Sequence, residues 1–480
     1  MSVLAEFERY DGIGLAELVR RREVTATEVL EETIARIEAR NPTINAVVTR
    51  MYDEARKAIA AGLPTGPFTG VPYLLKDLGA LYTGVITAGG SRLFATDVAN
   101  HDSELTARLR LAGLVIAGKS NTPEMGLAPS TEPRLFGPTR NPWKLSHSAG
   151  GSSGGAAAAV ASGMLPMAHA TDGGGSIRIP ASCCGLFGLK PTRGRVSMAP
   201  DAGEGWGGAS VIHAVTRTVR DSAALLDATS GAAVGDPYWA PPPARPFLDE
   251  VGREPGKLRI ALNVNPWFPV TVDPECAEAT RAAARLCAGL GHEVEEARPE
   301  IDESKWRQAT RVIVAANVAA TLDARAAALG RPLAQDDVER MVWERVSDAR
   351  AFSAIDYAAS VRVVHAVGRQ VARFMQRYDI ILTPTMCAPP QQLGVLDMMT
   401  TDANRYLAAV FASIGFTSLF NSTGQPAMSV PLAWSAAGLP LGVQFVGRFA
   451  EEAALFRLAA QLEAARPWAG RRPPLDARAS

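Results

Sequence analysis

The 480-residue sequence predicts an α/β protein: a large central mixed β-sheet covered by helices on both faces. Three observations lead there. Short apolar runs end in charge, as in "GVPYLLKDL" (70–78), which is how a buried strand meets the loop at its carboxyl end. Segments with helical spacing and recognisable caps lie between such runs. Strand-like and helix-like patterns alternate along the chain, which favours a mostly parallel or mixed sheet.

The elements follow in order. "TATE" (25–28) is a capping box: the Thr25 hydroxyl and the Glu28 carboxylate can each satisfy a free backbone N–H of the first helical turn. Leu30, Ile34 and Ile37 then share a face, and Asn41-Pro42 is expected to end that helix. "INAVV" (44–48) reads as a short strand, "GVPYLLKDL" as a buried one, and "LVIAGKSNTPEMG" (114–126) repeats that arrangement. "AAAAVASG" (156–163) reads as a tightly packed small-residue helix. Residues 230–256, containing "GDPYWAPPPARPF", read as a Pro/Gly-rich connection. "KLRIALN", a helix over 274–290 and "HEVEEA" complete a βαβ unit. Helices dominate 305–377. "DIILTP", "QPAMSVPL" and "PLGVQFVG" supply late strands, and a helix over 451–465 follows.

Composition excludes several classes. Lys plus Arg and Asp plus Glu number 49 each, a balance that argues against a nucleic-acid surface, which needs a basic patch for phosphate contacts. The five cysteines are odd in number and contain no CxxC pair, so no disulfide framework or zinc site is expected. The first residues, "MSVLAEFERYDGIG", carry acids where a signal peptide is basic and then apolar. The least charged stretch, 154–171, is too rich in Ala and Gly for a membrane span. A cytoplasmic protein is the expectation, without nucleic-acid or membrane partners.

Two glycine–serine clusters stand out: "GGSSGG" (150–155) and "TDGGGSIRIP" (171–180). As linkers they are misplaced, since apolar segments bound both. As phosphate cradles they lack a Walker lysine, and the second runs into β-branched residues and Pro180, so no helix is expected to open there. As an acyl-transfer site they make chemical sense. Successive glycines before Ser176 can present unobstructed N–H groups to an oxyanion. Serine then needs a base. His147 and His169 have no evident carboxylate to orient them and read as structural. Lys76 and Lys119 each follow a buried apolar run, and a buried lysine can lose its charge and act as a base. The residues alone do not choose between the two lysines.

The chain resembles the amidase signature family. The likeness rests on "GVPYLLKDL", "GKSNTPEMG", "NPWKLSHSAGGSSGGAAAAVASG", "ATDGGGSIRIPASCCGLFGLKPTRGR", "NSTGQPAMSVPL" and "GLPLGVQFVG", in matching order and spacing. It implies one amidase signature domain over 1–480 with a catalytic core over 70–195. It also implies a Ser–cis-Ser–Lys triad of Ser176 as nucleophile, Ser152 as bridge after a cis peptide, and Lys76 as base. The oxyanion hole maps to Gly173, Gly174 and Gly175. Lys119 then takes a structural role, and Asp77, next along the strand, points to the opposite face. Ser153, Asp172 and Arg178 are expected to support the site: Ser153 by local bonds, Asp172 by holding backbone N–H groups, Arg178 by pairing with a loop carboxylate. Ser148 reads as a turn residue, and Gly424 and Gln425 as shaping the pocket floor or its edge. Where this chain has Gly173 and Ala156, relatives often carry Thr and Ser or Glu. Those departures touch loop rigidity and helix capping, and remove no catalytic group.

Within the family, "GPFTGVPYLLKDL", "NTPEMG", "TRNPWKL", "CGLFGLKPTRGR" and "PECAEATRAAA" resemble the 6-aminohexanoate-cyclic-dimer hydrolase branch, which opens nylon-derived cyclic amides. This implies a hydrolase that cleaves small neutral amides through an acyl-enzyme, with no cofactor and no metal. Helices over 305–377 would line the pocket, and ester or urethane cleavage could accompany the main activity. The expected partner is a small-molecule amide substrate, and a homodimer is compatible with this reading. The alternative is the catalytic component of a glutamine-dependent amidotransferase, which shares the triad.

Overall fold

The computed structural model describes residues 3–475. Thirteen strands appear among them. The first five are β1 (Val47–Arg50), β2 (Pro72–Lys76), β3 (Val115–Ser120), β4 (Arg140–Asn141) and β5 (Lys144–Ser148). Next come β6 (Met167–Asp172), β7 (Phe187–Lys190), β8 (Val211–Thr216), β9 (Arg259–Leu262) and β10 (Glu293–Glu296). β11 (Ile380–Pro384), β12 (Ala427–Trp434) and β13 (Pro440–Gly447) complete the set. β4 and β5 form a small hairpin. The other 11 strands make one sheet, ordered β1-β3-β2-β6-β8-β7-β12-β13-β11-β9-β10. It is mixed: β3-β2-β6 and β11-β9-β10 run parallel within their groups, and the strands between are antiparallel.

Alternation along the strands shows why both faces need helices. Tyr73 and Leu75 of β2 pack with Leu15, Leu105 and Leu109, from helices Gly12–Arg20 and Glu104–Leu111. Leu74, between them, packs on the other side with Ile37 and the alanines of helix Gly154–Ala161. A side-chain period of two puts neighbours on opposite faces, so a strand this apolar must be covered twice. Helix Gly154–Ala161 is wholly buried, and its small side chains let it lie close against the sheet.

Two boundaries differ from the sequence-based expectation. The helix opened by Thr25, whose capping box is present, continues through Pro42 to Ile44. Asn45 closes it in the left-handed conformation, bonding to the Asn41 carbonyl at 2.7 Å. The Asn41 side chain accepts the next two N–H groups, from Ala46 and Val47, at 2.8 Å each. The second serine cluster does open a short helix, Arg178–Cys184. Pro180 lies in its first turn, where a missing N–H costs nothing.

Candidate active site

Lys76 is the last residue of β2, and Thr171 lies near the end of the neighbouring β6. Ser152 comes from the loop that leads into helix Gly154–Ala161. The three side chains meet. Lys76 Nζ donates to Ser152 Oγ at 2.7 Å and to Thr171 Oγ1 at 2.9 Å. The Lys76 backbone N–H donates to His169 Nδ1 at 3.0 Å. Lys76 is completely buried, and burial pulls its ammonium down to about 7, against the opposing charge of Asp172. Burial, reinforced by the charge of Lys76, pushes His169 down to about 3, so its ring stays neutral.

The GGSSGG loop fits where side chains would not. A Cβ on Gly151 would stand 2.2 Å from the Ser130 carbonyl oxygen. The Gly151–Ser152 peptide is cis. Thr131 Oγ1 straps the loop, donating to the Gly150 carbonyl at 2.9 Å and accepting from Gly154 N–H at 3.1 Å. Ser153 Oγ exchanges bonds of 3.3 Å with the backbone C=O and N–H of Thr171, tying the loop to β6. Ser148 Oγ accepts the Gly150 N–H at 3.1 Å, a turn contact.

Asp172 organises the second cluster. Its carboxylate accepts N–H bonds from Gly175 at 2.7 Å, Ile177 at 3.1 Å and Arg178 at 3.4 Å. The Arg178 guanidinium binds the same carboxylate through Nε and Nη2, each at 2.9 Å, with both side chains fully buried. Asn421 Nδ2 adds a bond of 2.8 Å to Asp172, while Arg178 reaches Asn421 Oδ1 and Gln444 Oε1 at 2.6 Å each. Burial raises the Asp172 carboxyl, but the Arg178 charge and hydrogen bonds, the Lys190 charge and the Asn421 bond together outweigh it and hold the group far below the usual carboxylate range.

This bonding corrects one assignment. Gly175 donates its N–H to Asp172, so it is not free for an oxyanion. Among the described residues, the amides of Gly173, Gly174 and Ser176 make no hydrogen bond. The available donors are therefore Gly173, Gly174 and Ser176. The Ser176 side chain is half-buried, and its hydroxyl bonds to no described side chain, Ser152 included.

The other buried lysine turns elsewhere. Lys119 Nζ donates to the Ile86 carbonyl at 2.7 Å and to the Thr87 hydroxyl. Asp77 accepts from Ala88 N–H at 3.1 Å, away from the serines. Burial raises the Asp77 carboxyl to about 6 against the charge of Lys119. His147 bonds to its neighbour Ser146. Gly424 caps helix Ser418–Thr423 and packs against Phe449 and Arg193. All five cysteines are buried free thiols.

Sequence reasoning missed Thr171, Asn421 and Gln444. Thr171 sits immediately before Asp172 in "ATDGGGS", and strand alternation could have flagged it. Asn421 and Gln444 lie in the matched segments "NSTGQPAMSVPL" and "GLPLGVQFVG", but nothing local shows that they reach across to Arg178.

A buried lysine touching one serine, with a second, glycine-framed serine on the loop after β6, suits a serine hydrolase of the acyl-transfer kind. The chain belongs to the amidase family, whose model, described as Amidase, matches residues 28–456. It is 42% identical over 477 residues to the 6-aminohexanoate-cyclic-dimer hydrolases of Pseudomonas sp. (strain NK87) and Paenarthrobacter ureafaciens, covering 97% of this chain and 96% of theirs. A solved structure of 6-aminohexanoate cyclic dimer hydrolase complexed with substrate superposes with a TM-score of 0.93 at 41% identity, over 98% of this chain and 99% of that one. A bacterial aryl acylamidase of the amidase signature family follows at a TM-score of 0.88 and 30% identity, covering 96% and 99%. A glutamyl-tRNA(Gln) amidotransferase chain from Thermotoga maritima is more distant, at a TM-score of 0.75 and 28% identity over 96% of each chain. Among the described residues no helix is long and apolar enough to cross a membrane.

Proposed function

We propose that the protein hydrolyses the C–N bond of small neutral amides, cyclic or linear, through an acyl-enzyme on Ser176. The observation that carries this reading is Lys76: buried, titrating near 7, and 2.7 Å from Ser152 Oγ. A neutral lysine there is a base poised near the working pH.

In the proposed sequence Ser152 passes its proton to Lys76 Nζ as it takes the proton of Ser176. Ser176 Oγ bonds to the substrate carbonyl carbon, and the N–H groups of Gly173, Gly174 and Ser176 stabilise the oxyanion. The C–N bond breaks as the proton returns from Lys76 through Ser152 to the leaving nitrogen. Water then attacks the ester by the same relay, releasing the acid and restoring Ser176. The relay requires a Ser152–Ser176 hydrogen bond in the substrate complex, where catalytic hydrogen bonds tighten. Thr171 Oγ1 holds Nζ in line while the proton moves. Arg178 and Asp172 fix the loop that presents Ser176.

The likeness to the cyclic-dimer hydrolases and to an aryl acylamidase supports aliphatic cyclic amides and anilides as the substrate class. Esters and urethanes fit the same acyl chemistry. The lower identity to an amidotransferase disfavours that alternative. Five buried free thiols suit a reducing cytoplasm.

A fluorophosphonate probe tests the nucleophile. Mass spectrometry of the adduct is expected to place it on Ser176, and Ser176→Ala to abolish it. An adduct elsewhere overturns the assignment.

A further inference from the structure

The open face of the nucleophile loop has one side wall that the mechanism leaves unused. A Cβ built on Gly174 would meet nothing within 4 Å, so the loop faces open space there. The positions on either side are closed. Over Gly175 stands Thr417, whose hydroxyl donates to the Gly174 carbonyl at 2.6 Å. Over Gly173 lies the indole of Trp206: a Cβ at Gly173 would be 2.7 Å from both Cε3 and Cζ3. Gly173 does not have a positive φ, so its backbone does not demand glycine. The indole does.

Trp206 is held in place at some conformational expense. It is a non-glycine residue at φ +54°, within the glycine-rich turn 203–208. Such outliers persist where the surroundings enforce them, and they cluster at functional sites. The enforcing contacts are visible. Ser210 N–H bonds to the Gly205 carbonyl at 3.0 Å, and Arg193 Nε to the Gly208 carbonyl at 2.6 Å. The Tyr238 hydroxyl, from the Pro/Gly-rich connection, clasps the Glu204 carboxylate. The half-buried indole rests on an apolar cluster that contains Val314 and Val318 of helix Glu303–Ala328, together with Met125 and Leu127. Gly126, between the last two, lies so close to Ser152 that its Cβ would be 3.2 Å from the Ser152 hydroxyl. The cluster therefore runs from the bridging serine to the free amides of the nucleophile loop.

We propose that Trp206 is the specificity-determining wall of the substrate cleft. Its exposed ring face packs against the apolar part of the substrate that flanks the reacting carbonyl, and Gly173 is glycine to admit it. This rests on the amide-hydrolase reading above and narrows it to substrates with an apolar flank. Small polar amides gain little from such a wall, because the ring offers them no apolar surface to cover.

The test is steady-state kinetics on two amides, hexananilide, which is apolar on both sides of the carbonyl, and acetamide. The enzymes are wild type, Trp206→Ala, Trp206→Phe, Gly173→Ala and the Gly173→Ala/Trp206→Ala double variant. Trp206→Ala is expected to raise KM for hexananilide about tenfold, the worth of one good aromatic contact, and to lower the hexananilide-to-acetamide selectivity similarly. Trp206→Phe should recover most of that KM while keeping the fold. Gly173→Ala should lose at least about tenfold in kcat/KM beside Trp206 and much less in the Trp206→Ala background, because only the first crowds the ring. An unchanged hexananilide KM in Trp206→Ala overturns the proposal, as does an equal Gly173→Ala cost in both backgrounds. Failure of the amide-hydrolase reading would look different: wild type would cleave neither amide.

Discussion

Lys76 and Lys119 occupy nearly equivalent places, and the contrast between them shows what makes a buried lysine useful. Lys76 ends its strand and Lys119 stands one residue before the end of its own; both are buried, and the strands are neighbours in which Lys76 pairs with Ser120 and Leu75 with Lys119. Burial pulls both ammonium groups down, to about 7 and about 8, each against a single nearby carboxylate. What differs is the company of Nζ. Lys76 meets two hydroxyls, one of them that of Ser152 in the first glycine–serine cluster. Lys119 meets a carbonyl, which can only accept, and the Thr87 hydroxyl, among the described residues. Desolvation favours the neutral amine in either position, and of the two only Lys76 reaches a serine, Ser152.

The largest effect that could break this contrast is Lys76→Ala. It is expected to lower kcat/KM by about 10²–10⁴-fold, the usual share of general acid–base catalysis, in a stopped-flow or spectrophotometric assay. Lys119→Met should leave kcat/KM within about threefold. Its cost should appear in urea unfolding as about 1–3 kcal/mol, from the stranded Ile86 carbonyl. Equal kinetic losses in the two variants would erase the distinction.

Next in size is Asp172→Asn. Stripping the carboxylate from a fully buried Arg178 should cost about 3–5 kcal/mol in urea unfolding. At a permissive temperature the surviving enzyme carries a second signature. Asp172 supports the charged form of Lys76, so its loss lowers the lysine further. In wild type the rate should rise with pH through about 7, because only neutral Lys76 accepts a proton. In Asp172→Asn that limb should move to lower pH. The smallest effect expected is from Asp77→Asn: its carboxylate acts on Lys119, so the limb should stay within about 0.3 pH units of wild type, a small fraction of the shifts burial produces. A limb that follows Asp77 would mean the wrong lysine has been named.

Much of this was legible beforehand. The Thr25 capping box, the strands ending at Lys76 and Ser120, and the two glycine–serine clusters follow from local pattern. The choice of lysine does not. It depends on sheet order: β6, carrying Thr171, lies beside β2, whereas the outer neighbour of β3 is β1. No local spacing encodes which strand becomes a neighbour, and the family likeness supplied that choice. Gly175 failed as an oxyanion donor for a related reason. A glycine run says that N–H groups are unobstructed, but not that a neighbouring carboxylate has already claimed one. Likewise, the helix past Pro42 depends on Asn41 and Asn45 bonding together around the turn.

The reach of Arg178 has a consequence for how the enzyme comes into being. Its guanidinium is finished only when Asn421 and Gln444 arrive, near the end of a 480-residue chain. Until then the local Asp172–Arg178 pair lacks these two partners. The lysine of an unfolded chain keeps its ordinary value near 10.4 and remains charged at neutral pH. An unfolded chain thus carries two ordinary serines and an ordinary lysine. The low lysine value on which the proposed reaction depends is therefore a property of the fold, not of the serine clusters as sequence.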